Sequence, residues 1–300
     1  MAMERKLQAI MLVLVLVASV GALSVMLPSA GLFMASAANP GEPEVEKIMF
    51  IDRYKPTHSL GASDSDGDDP PCNTTSNSFK KISGGIKWDS TDFPVKYHIN
   101  TANVGDINGD GNANTVQDKN LAGSEIDAAF GVWDSEEHPS GSFFQKVANS
   151  NEAKITVSWQ PVDGVGGTLA FASISYSPPL KRILSVQIVF DSNDNWRAAD
   201  TFVCGNVEGD LNILEFDLRN VAVHEIGHAV GLDHVNGGAD VYNSLYTYIL
   251  FELETHKSTL GDGDKTGIAM LYGDGGGDDG GDNGGGGPPC SRNPDHPRCT

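Results

Sequence analysis

Positive charge is what this 300-residue sequence has least of: 20 Lys and Arg stand against 40 Asp and Glu, a formal net charge of −20 at pH 7. A chain this acidic repels phosphate backbones and anionic membrane surfaces, which excludes nucleic acid as a partner class. The acidic excess suits calcium sites or solubility instead. Charge of either sign is missing from Leu7 to Leu27, preceded by Arg5 and Lys6 and followed by the small residues Ala35-Ser36-Ala37-Ala38. That order is the pattern of an export signal cut near Ala37 or Ala38; the other reading is an anchor of near-spanning length retained in a membrane. Export makes the chain secreted or extracellular, held at a cell surface if the anchor stays.

Cysteine is also scarce, four in all. In an oxidising compartment an even number favours disulfides. Cys290 and Cys299 are close in the tail and are expected to pair. Cys72 and Cys204 can then join the segment before the main domain to a later loop, although the sequence leaves this connectivity open.

The composition divides the chain. Residues 1–37 are the expected signal peptide, and 38–82 a polar linker or short pro-segment containing the glycosylation sequon Asn73-Thr74-Thr75. Residues 83–273 carry the globular pattern. Residues 274–300 form a Gly/Asp-rich tail that cannot bury enough apolar surface to order itself. Within the domain, alternation in Phe93 to Ile99 predicts a strand. Further strands are predicted at 154–159, 167–175 and 184–190. Helices are predicted from Ser124 as N-cap to Trp133, from Leu218 to Val230 with Gly231 as a left-handed cap, and from Asp264 to Leu271. An α+β domain is expected.

The chemistry lies in His224-Glu225-Ile226-Gly227-His228. Residues four apart share a helical face, so His224 and His228 can offer imidazoles to one zinc ion. Glu225 is placed beside the open position, where it can act as general base toward a zinc-activated water. The run continues Ala229-Val230-Gly231-Leu232-Asp233-His234. Gly231 lets the helix end abruptly and His234 return as third ligand. A glutamate ligand from Glu252 or Glu254 would define a different zinc class, and His234 makes it unnecessary. Cys72 as a thiol that blocks zinc competes with its disulfide reading.

These residues resemble the metzincin metallopeptidases, and within them the matrixins, over about residues 83–273. Val221 through His234 is similar to the matrixin zinc helix, and Asp163-Gly164-Val165-Gly166-Gly167-Thr168-Leu169-Ala170 to the calcium loop that leads into the strand lining the substrate cleft. The resemblance implies a twisted, mostly parallel sheet with an antiparallel edge strand and about three helices. It implies a zinc endopeptidase acting on protein or peptide substrates, with calcium on Asp163, Asp191 and Asp194. It also implies substrate contacts at Leu169, Ala170, Tyr246 and Tyr248. Where matrixins hold a structural zinc with histidines, this chain has Phe171 and Val189, so that zinc is expected to be absent. Where metzincins carry a methionine beneath the metal, it has Leu245, of similar volume. The family's inhibitory cysteine motif is not reproduced around Cys72.

Asp106, Asn108 and Asp110, with Gly111 following, match the start of a calcium-binding loop, but Gln117 stands where a bidentate glutamate belongs. A calcium site and an acidic surface turn remain equal readings. A rival to the peptidase is a catalytically impaired zinc- and calcium-binding surface module. The sequence leaves the oligomeric state open.

Overall fold

The first element among the described residues falls inside the stretch whose composition suggested a linker. A computed structural model describes residues 44–55, 76–136, 141–198, 214–249 and 254–273, and in it Glu46–Tyr54 forms β1. Phe50 and Asp52 on this strand are buried while Met49 and Arg53 are exposed, the period-two pattern of a strand with one covered face. The cue is Ile48-Met49-Phe50-Ile51, an apolar run diluted by its charged neighbours.

The next elements are the two-residue strand β2 (Lys80–Lys81), then β3 (Val95–Asn100) and helix α1 (Val116–Asp134). The expected start of α1 at Ser124 is corrected. Thr115 is the N-cap, and its side chain and that of Asp118 form a reciprocal capping box. The first turn holds Gln117, Asp118, Lys119 and Asn120 behind an exposed Val116, so the apolar spacing that marks the helix shows only from Leu121 and Ala122 onward. Ala122, Ile126, Ala129, Phe130 and Trp133 then line one buried face.

Strands β4 (Phe144–Lys146), β5 (Ile155–Gln160), β6 (Thr168–Ser177) and β7 (Arg182–Asp191) follow. After the short β8 (Asn195–Arg197) and β9 (Glu215–Asp217) come helix α2 (Leu218–Val230), β10 (Leu232–Asp233), β11 (Tyr248–Ile249) and α3 (Asp262–Tyr272).

Seven strands make one sheet in the order β11-β1-β6-β7-β5-β3-β4. β7, β5, β3 and β4 run parallel, and β6 runs against both β7 and β1. The architecture is therefore α+β, a mostly parallel sheet with one antiparallel strand and, among the described residues, three α-helices. β1 and β11 lie outside β6, so its outer edge is already paired with the chain itself.

α2 is buried along nearly its whole length, which explains why it lacks a polar face. The Trp133 indole donates to the Val223 carbonyl at 2.8 Å and fixes α1 on α2. Trp88 donates to Ala229 O at 2.8 Å, and the Tyr272 hydroxyl to Val230 O at 2.6 Å. Each bond satisfies a buried polar group while its ring fills the core. Among the described residues no helix is long and apolar enough to cross a membrane. The apolar run at 7–27, all four cysteines and the Asn73 sequon lie outside the described residues.

Candidate metal centre

α2 starts where the Asp217 carboxylate accepts from the Asn220 amide at 2.7 Å. It stops at Gly231, whose φ of 111° is left-handed. A Cβ there would also stand 2.7 Å from the Ile86 carbonyl oxygen, so glycine is required twice over. The sharp stop sends Leu232 and Asp233 back along β2 and brings His234 over the helix.

The three imidazoles converge. Nε2 of His224 lies 3.1 Å from that of His228 and 3.0 Å from that of His234, and the last two are 3.1 Å apart. Nδ1 of His224 is 2.7 Å from the Ser244 carbonyl and Nδ1 of His228 is 2.8 Å from that of Leu232. A carbonyl only accepts, so both rings carry their proton on Nδ1 and present a bare lone pair at Nε2. Burial holds His224 and His228 well below the ordinary imidazole range and pushes His234 down to about 4. The bare lone pairs of His224 and His228 facing each other at 3.1 Å repel unless a proton or a cation lies between them. Tetrahedral zinc at about 2.0–2.1 Å from each nitrogen sets nitrogen–nitrogen separations of about 3.3 Å. These residues therefore fit zinc.

Glu225 is completely buried, and neither carboxylate oxygen meets a hydrogen-bond partner. Burial, reinforced by the charge of Asp52, raises its proton affinity well above the usual carboxylate range. Beneath the site, Ser244 is held by Asp264, which accepts from the amides of Ser244 at 2.7 Å and Gly261 at 2.8 Å. Leu245 is buried next to this turn, and a Cβ on Gly227 would stand 2.5 Å from its Cδ2. The floor expected at the methionine position is apolar and closely packed.

Glu254 lies apart from the triad. It pairs with the fully buried Lys257 at 2.9 Å and accepts from Asn220 at 3.4 Å; Glu252 lies outside the described residues.

The expected calcium residues come from two segments, Asp163 between β5 and β6 and Asp191 and Asp194 at the end of β7 and the turn after it, and their carboxylates mostly accept from amides of the first. Asp191 accepts from the amides of Val162, Asp163 and Gly164, and Asp163 from that of Thr168. Asp194 accepts from Gly166 at 2.7 Å and keeps Oδ2 buried without a partner. Burial, with Asp191 and Asp163 adding to it, pushes Asp194 up to about 7, the behaviour of a carboxylate that a cation would relieve. Phe171 and Val189 are register partners across β6 and β7. In the other acidic loop, Asp106 caps the amides of Gly109 and Gly111, Asn108 accepts from the Asp110 amide, and Asp110 from that of Asn112. These residues shape the turn ahead of α1.

Leu169 and Ala170 are buried within β6, where Ala170 pairs with Asp52 on one side and Phe190 on the other. Tyr248 is on β11, beside Arg53. Sequence reasoning missed two residues of β1. The Phe50 ring lies flat on the His228 imidazole, with centroids 4.2 Å apart and an interplanar angle of 13°. Asp52 is fully buried, and its carboxylate oxygens, the imidazole of His224 and the carboxylate of Glu225 offer ligand atoms within 4.8 Å of one another.

The matrixin family model matches residues 107–273. Karilysin of Tannerella forsythia is 29% identical over 197 residues, 63% of this chain and 34% of that protein. Metalloendoproteinase 2-MMP of Arabidopsis thaliana is 37% identical over 115 residues, covering 38% of this chain and 26% of the relative. Human matrix metalloproteinase-16 is 37% identical over 113 residues, covering 38% and 16%. The chain thus spans about a third or less of the length of these relatives.

Proposed function

The chain belongs to the matrixin family, and from that premise we propose that it is a secreted zinc-dependent endopeptidase in which Glu225 is the general base. The observation that carries the reading is the convergence of three imidazole Nε2 atoms within 3.1 Å of one another beside an unpartnered, buried Glu225 carboxylate. When bound, zinc supplies a Lewis acid that polarises the scissile carbonyl and acidifies water. His224, His228 and His234 hold it, and the carbonyls of Ser244 and Leu232 keep two of those rings in the ligating tautomer.

The substrate is an extended protein or peptide chain lying along β6, the place β1 takes in this structure, with main-chain pairing near Leu169 and Ala170. Tyr246 and Tyr248 border the groove on its other side. Glu225 takes the proton of the attacking water as the oxygen joins the carbonyl carbon. It then passes that proton to the leaving nitrogen as the C–N bond breaks. Its high proton affinity suits the second transfer, because burial makes the protonated form the stable carrier.

Calcium at Asp163, Asp191 and Asp194 completes the proposal, supported by the buried free oxygen of Asp194. Calcium at Asp106, Asn108 and Asp110 has less support, since those side chains are committed to loop amides.

The test is cleavage of reduced, unfolded proteins by the zinc-loaded chain and by its Glu225→Gln counterpart, with fragments identified by mass spectrometry. Fragments that depend on Glu225 are expected. Equal cleavage by both, or none by either, overturns the reading.

A further inference from the structure

β11 is held from its outer side by a side chain. It is the edge strand of the seven-stranded sheet, so only its inner side has a strand to pair with. The Ile249 carbonyl faces that inner side and accepts from the Lys55 amide at 3.0 Å. The Tyr248 carbonyl, one residue earlier, faces the other way, where an edge strand ordinarily leaves its polar groups unpaired. Here it accepts from Nζ of Lys257.

Lys257 lies on a single turn, His256–Ser258, and its side chain has no exposed surface. Lysine is almost never buried so completely unless it is paired. Its ammonium is 2.9 Å from Oε1 of Glu254 and 5.3 Å from the centroid of the Tyr246 ring. The same Glu254 oxygen accepts from the Asn220 side-chain amide at 3.4 Å, and Asn220 is one turn ahead of His224 on the same face of α2. One ammonium thus connects β11, the turn that carries Tyr246 and, through Glu254, the helix that carries His224 and His228. A buried ion pair is a poor source of stability, because apolar side chains of similar volume do as well or better in its place. What it adds is a fixed position for each group it touches.

We propose that Lys257 is a positioning residue for peptide binding: by taking up the outer carbonyl of β11, it holds that two-residue strand in place as the wall of the groove opposite β6. An extended chain then meets main-chain groups that are already ordered, which removes an ordering cost from binding. The consequence for a substrate rests on the endopeptidase reading, whereas the anchoring of β11 does not. The hydrogen bonds of Lys257 go to Tyr248 and Glu254 and not to the metal ligands, so its effect falls on binding of the chain and not on the chemical step.

The experiment compares the zinc-loaded wild type with Lys257→Met and with Lys257→Met combined with Glu254→Gln. The double variant leaves no unpaired buried carboxylate and guards against a folding failure of the single one. Amide hydrogen exchange of residues 245–249, read by mass spectrometry, is expected to quicken about tenfold or more in both variants. The denaturation midpoint of the double variant is expected to stay at or above that of the wild type. On a fluorogenic peptide built around a site that the wild type cuts in a reduced, unfolded protein, KM is expected to rise about tenfold while kcat stays within about threefold. Unchanged exchange at 245–249 overturns the proposal, and so does an unchanged KM. A lower denaturation midpoint in the double variant, with kcat falling alongside, marks a merely structural role and overturns it too. Failure of the endopeptidase reading looks different: the wild type then yields no Glu225-dependent fragments, and the exchange at 245–249 still decides whether Lys257 anchors β11.

Discussion

The Nε2 atoms of His228 and His234 are 3.1 Å apart, although one residue is in a helix and the other lies beyond its left-handed cap. Together with the His224 Nε2 at 3.1 and 3.0 Å, this is the spacing of three nitrogens that share one cation. His234→Ala is therefore expected to lower zinc affinity by more than about 100-fold, beyond the 10–100-fold typical of losing only a supporting hydrogen bond. Competition with a chelating indicator measures it; unchanged affinity would mean the triad is not the site.

Asp264 acts on the same centre from a distance. By accepting from the Ser244 amide it fixes the carbonyl that holds His224 in its tautomer. Asp264→Ala is expected to cost roughly 10–100-fold in zinc affinity while leaving one zinc per chain at saturation.

Leu245 is buried against Gly227. Leu245→Met should change stability by less than about 1.5 kcal/mol, because volume is conserved, whereas Leu245→Ala should cost about 2–5 kcal/mol through the cavity it opens. Chemical denaturation of the apo and zinc forms distinguishes them.

Asp92 gives the pH dependence. Burial works to raise its pKa, but hydrogen bonds from Arg182 and Lys154 outweigh this and hold it below the ordinary 3.8. A depressed carboxylate contributes stability that is present above the unfolded pKa and lost as pH falls through the folded value. Asp92→Asn should therefore cost about 1.5–3 kcal/mol at neutral pH. The gap from wild type should narrow below pH 4, measured by denaturant titration across pH.

The zinc helix was legible because its spacing is the chemistry: ligands four apart, then a glycine that a left-handed turn demands. The extent of α2 and the return of His234 follow from those residues alone. The start of α1 was not legible, because Val116 and its neighbours show no apolar face and the Thr115–Asp118 box is a weaker cue than the periodicity further on. β1 was hidden for a different reason. Its inward residues include Asp52, a charge that reads as solvent-facing until a metal centre is placed opposite it. The grouping of Asp163, Asp191 and Asp194 came from the family resemblance, because they lie on two segments of the sequence, and the degree to which Asp163 and Asp191 are taken up by amides between β5 and β6 was not legible.

The most direct test is turnover of an unfolded protein by the zinc-loaded chain with and without Glu225→Gln. The expected result is cleavage by the first and a rate lower by about 10²–10⁴ in the second, the contribution of a positioned general base. Equal rates, with one zinc bound per chain in both, would contradict the role of Glu225 and with it the peptidase reading.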